Sequence, residues 1–133
     1  MIGYTTGVWD MFHVGHLKLL KEARSLCDLL IVGVETDELV KIKKGKLPVI
    51  PFRDRCEIVG GVRFVDTVIP EYNLDKYLAF IKIGYNVLFV GDDHFGEERW
   101  SGYESQLKPF GVKVIYLPYT KDISSSKLKE KIK

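Results

Sequence analysis

The chain has 133 residues, of which 46% are hydrophobic and 29% are charged, as in a globular domain with one core. Its 20 basic and 18 acidic residues leave a net charge of +2, which argues against a nucleic-acid or membrane partner. No apolar run approaches the roughly 20 residues of a membrane span. Only two cysteines occur, and a predicted strand begins directly at the N-terminus, where a signal peptide would lie. We therefore expect a cytoplasmic protein with one domain, residues 1–133.

Short runs rich in Val, Ile and Leu alternate along the chain with stretches of helical periodicity. This alternation predicts a Rossmann-like, doubly wound α/β fold with a parallel five-stranded sheet. The predicted strands are residues 2–7, 29–34, 66–69, 87–90 and 113–117. The predicted helices are residues 14–27, 52–60, 74–83, 102–108 and 124–131, and residues 37–51 and 92–101 are predicted to be long loops.

The most informative segment joins the first predicted strand to the first predicted helix, and it contains Asp10, His13, Gly15 and His16. A helix N-terminus attracts phosphate, a glycine lets phosphate approach the backbone, and imidazoles add N–H donors. The alternatives are two solvated histidines or two metal ligands. A metal site needs further ligands, and the remaining histidine and the cysteines do not supply them at a suitable spacing. The segment therefore predicts a phosphate site and no metal site made by the histidine pair, although Asp10 could help to hold a metal ion that binds with phosphate.

Lysines are concentrated in the predicted loop 37–51, which includes Lys43 and Lys46. Ligands of open α/β sheets bind beyond the carboxyl ends of the strands, and this loop leaves the second strand at the same edge as the histidine pair. A solvated surface loop is the alternative. The shared edge favours contact between the lysines and phosphate groups.

With these features in place, the chain resembles the nucleotidyltransferase superfamily of the His-x-Gly-His type, and within it the glycerol-3-phosphate cytidylyltransferases. The resemblance covers nearly the whole chain. It includes residues 13–16, the arginines at 55 and 63, the Gly-Asp-Asp at 91–93 and the signature at 119–126. Two departures lie in that last signature, where Tyr119 replaces an arginine and Asp122 replaces a glycine.

The resemblance implies that an acceptor phosphate attacks the α-phosphorus of CTP, with glycerol 3-phosphate as the foremost acceptor and CDP-glycerol and pyrophosphate as products. It also implies Mg²⁺ bound with the nucleotide, and a homodimer. The implied catalytic residues are His13, His16, Lys46 and Arg63, and the implied acceptor-binding residues are Lys43, Arg55 and Arg63. The implied nucleotide-binding residues are Gly7, Val8, Trp9, Asp10, His13, Gly15, His16, Gly91, Asp93, Tyr119, Thr120, Ile123, Ser124 and Ser125.

Alternatives remain open for individual residues and for the function. Arg55 could pair with a neighbouring carboxylate at the surface, Asp93 could be a turn residue, and the serines at 124–126 could cap a helix. Residues 44–49 resemble the loop of ADP-heptose-type adenylyltransferases, so the base or the acceptor could differ. The departures at Tyr119 and Asp122 allow a nucleotide-binding protein without turnover.

Overall fold

The computed structural model describes residues 1–118, which form one parallel five-stranded sheet with helices on both faces. The strands are β1 (Ile2–Gly7), β2 (Leu29–Glu35), β3 (Thr67–Glu71), β4 (Val87–Gly91) and β5 (Lys113–Leu117), in the order β3-β2-β1-β4-β5. The helices are α1 (Val14–Ser25), α2 (Asp37–Lys44), α3 (Phe52–Gly60), α4 (Lys76–Ile83) and α5 (Glu98–Leu107). The predicted single-domain α/β fold is confirmed.

The strand order reverses between β1 and β4, and this reversal locates the ligand crevice. The chain winds from β1 through β2 to β3, returns to β4 on the other side of β1, and continues to β5. Helices that follow β1 and β4 therefore diverge, and a crevice opens between them at the carboxyl edge of the sheet. The histidine-bearing loop directly follows β1, so the fold brings it to this crevice.

Both faces of the sheet are covered, which explains the apolar strands. On one face, Leu20 and Ala23 of α1 and Val59 of α3 pack with Val32 and Val34 of β2. The other face is more aromatic and includes Tyr4, Tyr85, Leu88, Trp100 and Leu107. Strands enclosed on both sides read as nearly continuous apolar runs, as β2 and β4 do here.

The two predicted loops are wrong in part, because each contains a helix with a narrow buried face. In residues 37–51, α2 buries only Leu39 and Val40. It is defined mainly at its ends, since the Thr36 side chain accepts a hydrogen bond from Leu39 N at 3.2 Å and Gly45 ends the helix at φ 79°. In residues 92–101, a single 3-10 turn at Asp92–His94 is followed by α5. This helix starts at Glu98, four residues before its predicted start at residue 102.

The predicted helix 124–131 and the predicted site residues Tyr119, Thr120, Ile123, Ser124 and Ser125 lie outside the described residues. Within residues 1–118, no helix is long and apolar enough to cross a membrane.

Candidate functional site

The two histidines of the first loop cap α1 with their own side chains. His13 is the N-cap residue, and its Nδ1 accepts a hydrogen bond from Gly15 N at 3.0 Å. His16 Nδ1 in turn accepts from His13 N at 3.2 Å, and the two rings stack with centroids 3.9 Å apart. A peptide N–H always donates, so each Nδ1 must present a lone pair. In the neutral imidazoles the proton is therefore on Nε2 of both rings.

The environment keeps both imidazoles neutral. Burial lowers the pKa of His13. Burial, and secondarily the neighbouring His13, lowers the pKa of His16 to about 3, against a smaller opposing effect of Asp10. His13 Nε2 is buried without a hydrogen-bond partner among residues 1–118. A buried donor without a partner is costly, so a ligand oxygen that accepts from it is favoured.

The backbone of this loop is strained and held by side chains. Trp9 and Met11 have φ values of 57° and 48°, in the left-handed region that non-glycine residues rarely adopt. The buried Trp9 ring donates from Nε1 to the Gly33 carbonyl oxygen at 3.0 Å. Asp10 accepts hydrogen bonds from the backbone of Val49 and Ile50, at 2.8 and 2.9 Å. Asp10 thus joins the histidine loop to the segment that follows α2.

A cavity of about 380 Å³ opens beyond the carboxyl ends of β1 and β4. Seven of the predicted nucleotide-binding residues line it: Gly7, Val8, Trp9, Asp10, His16, Gly91 and Asp93. His13 and Gly15 are buried and are not among the lining residues. The Gly15 N–H is already donated to His13 Nδ1. The cap therefore takes up a helix N–H that the sequence analysis expected to bind phosphate.

The lysine cluster contributes Lys43 and Lys44 to the cavity, while the exposed Lys46 is not among the lining residues. Lys43 and Lys44 belong to the last turn of α2, whereas Lys46 lies beyond the end of this helix. Lys43 Nζ lies 2.7 and 2.8 Å from the two carboxylate oxygens of Glu35.

The structure gives Arg55 a different place from the predicted acceptor contact. Its side chain is fully buried, and it donates from Nη1 to the carbonyl oxygens of Val8 and Glu35, both at 2.7 Å. Its Nε donates to the Ile50 carbonyl oxygen at 2.8 Å, and its Nη2 pairs with Asp37 at 2.6 Å. All three nitrogens are used within the protein, so Arg55 holds the loops of the site together and does not line the cavity.

Arg63 is likewise not among the cavity-lining residues. It follows α3 and precedes β3, at the edge where the parallel strands begin, and it is exposed with its guanidinium carbon 5.0 Å from the Phe64 ring centre. Parallel strands separate their two ends by their full length, so the cavity lies at the opposite edge. The catalytic and acceptor-binding role of Arg63 stays a prediction, which the cavity formed by residues 1–118 does not include.

The sequence analysis missed a buried group of acids and lysines at the cavity. Glu35 and Glu71 end β2 and β3 side by side, and both are at least 94% buried. Lys76, the first residue of α4, is 3% exposed and donates to Glu71 Oε2 at 2.5 Å and to Thr6 Oγ1 at 2.8 Å. Burial, and to a lesser extent the charge of Glu35, raises the pKa of Glu71, while Lys76 opposes this shift. A charged residue at the end of an apolar strand was the available signal.

No group of three or more His, Cys, Asp or Glu residues that could hold a metal ion occurs within residues 1–118. Phosphate oxygens are ligands that Mg²⁺ prefers, and Mg²⁺ commonly binds proteins through them.

The geometry of the loop and cavity agrees with comparisons to known proteins. Residues 4–131 match the model of the family described as cytidylyltransferase-like. The chain belongs to this cytidylyltransferase-like family. It is a nucleotidyltransferase, and a nucleotide is one of its substrates.

Two relatives and one solved structure illustrate the range of the family. The chain is 39% identical over 129 residues to glycerol-3-phosphate cytidylyltransferase from Bacillus subtilis, covering 96% of this chain and 94% of the relative. It is 40% identical over 116 residues to FAD synthase from Pyrococcus abyssi, covering 85% and 77%. The crystal structure of a lipopolysaccharide core biosynthesis protein from Thermoplasma volcanium superposes with a TM-score of 0.74 at 26% identity, covering 90% of this chain and 96% of that one.

Proposed function

We propose that the protein transfers a cytidylyl group from CTP to a phosphorylated alcohol, foremost glycerol 3-phosphate, and releases pyrophosphate and CDP-glycerol. The observation that carries this proposal is the neutral His13–His16 pair at the start of α1, at the edge of the sheet where the cavity opens. Near-full-length similarity to glycerol-3-phosphate cytidylyltransferase supports CTP and glycerol 3-phosphate as the substrates.

In this proposal the acceptor phosphate oxygen forms a bond to the α-phosphorus of CTP, and the bond to the pyrophosphate oxygen breaks. Negative charge develops on the oxygens of the α-phosphoryl group, and preorganised donors stabilise it. His13 and His16 donate from Nε2 to these oxygens, and the positive end of the α1 dipole adds to the effect. No covalent intermediate with the protein is needed, so positioning and charge stabilisation account for the catalysis.

The remaining cavity residues supply charge and base contacts. Lys43 and Lys44 at the end of α2 offset the charge of the phosphates. Asp93, which follows β4 and has a side chain 35% exposed, accepts from the exocyclic amine of cytosine. If bound with the nucleotide, Mg²⁺ would offset part of the triphosphate charge, and Asp10 orders the loop through its backbone contacts.

The similarity to FAD synthase, at an identity comparable to that of the cytidylyltransferase, favours a second candidate function. In it the nucleotide is ATP, and an adenylyl group is transferred to a different phosphorylated acceptor. The two candidates share the histidine chemistry and differ in the base and the acceptor.

Pyrophosphate release separates the two candidates. Purified protein with Mg²⁺ is incubated with CTP, UTP or ATP, each combined with glycerol 3-phosphate, phosphoethanolamine or a sugar phosphate. We expect release with CTP and glycerol 3-phosphate, and release at least about 100-fold slower from the His13→Asn variant under the same conditions. Pyrophosphate release with ATP and an acceptor, but not with CTP or UTP, would contradict the cytidylyl proposal and support the adenylyl candidate.

A further inference from the structure

The rim of the cavity beside β4 carries charged and titratable side chains, of which the proposed chemistry uses only Asp93. Asp93 and His94 belong to the 3-10 turn that follows β4, and both line the cavity. Glu97 directly precedes α5, and Arg99 in the first turn of α5 also lines the cavity. His94 is therefore a hydrogen-bonding side chain at the cavity, next to the residue that is proposed to contact the base.

Two contacts fix the imidazole ring of His94. Its Nδ1 lies 3.0 Å from Glu97 Oε1, and its ring centre lies 6.0 Å from that of the buried Trp100. An ionised carboxylate can only accept, so Nδ1 carries the proton of this hydrogen bond. The other ring nitrogen, Nε2, lies 3.8 Å from Asp93 Oδ2, which is too long for a hydrogen bond. Nε2 and the Asp93 carboxylate thus lie side by side, and each keeps hydrogen-bonding capacity for a ligand.

The charge of the ring decides what Nε2 can do. With Nδ1–H donated to Glu97, a neutral ring presents a lone pair at Nε2. Only a protonated ring presents an N–H at this position. Histidine is the side chain whose charge ordinarily changes between about pH 5 and 8, so Nε2 can change from acceptor to donor near neutral pH.

The elements packed around this turn and Trp100 contribute further charged or titratable side chains, namely Arg99 of α5, Lys76 of α4 and Tyr116 of β5. Each of these contacts a carboxylate, respectively that of Glu97, Glu71 and Glu104. The two carboxylates that contact the ring nitrogens of His94 are those of Asp93 and Glu97.

We infer that His94 is a specificity-determining residue for the base, and that its protonated ring donates from Nε2 to the ring nitrogen beside the exocyclic amine. This inference rests on the proposed function, in which Asp93 accepts from that amine. On cytosine, the amine donor and the acceptor N3 are adjacent on one edge. They therefore match a carboxylate and an N–H that lie side by side.

Uracil has the opposite pattern at the same two positions, because a carbonyl oxygen replaces the amine and an N–H replaces the acceptor nitrogen. Its carbonyl oxygen would meet the Asp93 carboxylate, and its N–H would meet the N–H of protonated His94. Opposed polar groups of this kind give strong discrimination between ligands. Recognition of cytosine is also coupled to one proton, since CTP favours the protonated ring and protonation favours CTP to the same extent.

The test compares CTP with 3-deaza-CTP, in which a C–H group replaces N3 while the amine, the sugar and the triphosphate are unchanged. Calorimetry with Mg²⁺ and without acceptor gives both Kd values at pH 6 and at pH 8.5. Protonation of the triphosphate affects both nucleotides alike and cancels from the ratio of the two Kd values.

For the wild type at pH 6, we expect CTP to bind at least about tenfold more tightly than 3-deaza-CTP, because a hydrogen bond from a charged donor is lost. At pH 8.5, where histidine is ordinarily neutral, this preference should fall to about twofold. UTP should bind at least about 100-fold more weakly than CTP at pH 6.

Two variants separate the hydrogen bond from a general effect of charge. His94→Phe keeps a ring against Trp100 and removes both nitrogens, so its Kd values for CTP and 3-deaza-CTP should agree within about twofold at both pH values. Arg99→Met is the matched control, because it removes a cavity-lining cation near the same Glu97 carboxylate. It should weaken both nucleotides alike and keep the preference of the wild type.

Equal Kd values for the two nucleotides in the wild type at pH 6 would overturn the inference while the proposed function stands. An undiminished preference in His94→Phe, or the same wild-type preference at both pH values, would do so as well. If CTP binds with the expected preference but no acceptor gives pyrophosphate, the proposed function fails and the inference stands. If the wild type does not bind CTP, both fail.

Discussion

Arg55 donates a hydrogen bond of 2.7 Å to the carbonyl oxygen of Val8, and this bond joins α3 directly to the loop that carries the histidines. The same guanidinium also reaches the carbonyl oxygens of Glu35 and Ile50. These acceptors belong to three segments that are distant in sequence. The position of the His13–His16 pair relative to α2 therefore depends on one buried arginine.

Arg55→Met should destabilise the protein by about 3–5 kcal/mol, because it leaves three carbonyl oxygens without their donor and removes the ion pair of Asp37. Urea unfolding at pH 7.5 measures the loss. Arg53→Met is the matched control, since Arg53 is exposed on the same helix and its substitution should cost less than about 0.5 kcal/mol. Comparable midpoints for the two variants would contradict the assigned role of Arg55.

Periodicity located the strands because it reports burial, and each of the five strands has buried or half-buried apolar residues. It failed for α2, whose eight residues bury only two side chains, and for the start of α5. Thr36 and Gly45, which cap the two ends of α2 in the structure, were not used to predict it. The sequence of so short a helix carries little apolar periodicity, because the helix is stabilised mainly by packing against the rest of the protein.

The parts of the site that are formed by residues close together in the sequence could be predicted. The parts formed by residues distant in the sequence could not. Residues 7–10 and 16 lie at or soon after the end of β1, and all of them line the cavity. Their contact with the nucleotide stays a prediction. The Glu71–Lys76 pair and its neighbour Glu35 meet only through the β2–β3 register. Arg55 was expected to contact the acceptor because the family it resembles has an arginine there, but a residue type does not determine which way its guanidinium points.

His13→Asn should separate catalysis from helix capping. The asparagine oxygen can replace Nδ1 as the acceptor for Gly15 N, but asparagine has no equivalent of Nε2. We expect the turnover rate to fall about 10²- to 10⁴-fold while the free energy of unfolding stays within about 0.5 kcal/mol of the wild type. His13→Ala should lose the rate and in addition about 0.5–2 kcal/mol of stability. Pyrophosphate release and urea unfolding measure the two effects, and normal turnover of folded His13→Asn would exclude a catalytic role.

Selection of cytosine over adenine should depend on Asp93. Calorimetry with CTP, UTP and ATP should give the tightest binding for CTP, and Asp93→Ala should weaken CTP binding by about 1–3 kcal/mol, because the cytosine amine loses its acceptor. Glu97→Ala is a suitable control, since Glu97 also contacts His94 but is not among the cavity-lining residues. Tighter binding of ATP than of CTP would instead favour the adenylyl candidate.

The lowered pKa of His16, about 3, makes the stability of the protein depend on pH in a defined direction. Above pH 6.5 the imidazole is neutral in both the folded and the unfolded chain, so it contributes no pH dependence. As the pH falls from about 6.5 towards 3, the unfolded chain binds a proton that the folded chain excludes, and the folded state loses stability.

His16→Asn keeps an acceptor for His13 N and removes the titrating ring. Between pH 6 and 4 the wild type should therefore lose up to about 1.4 kcal/mol per pH unit more than this variant. Urea unfolding at pH 7, 6, 5 and 4 gives both slopes, and parallel slopes would mean that His16 takes up its proton in the folded protein as readily as in the unfolded chain.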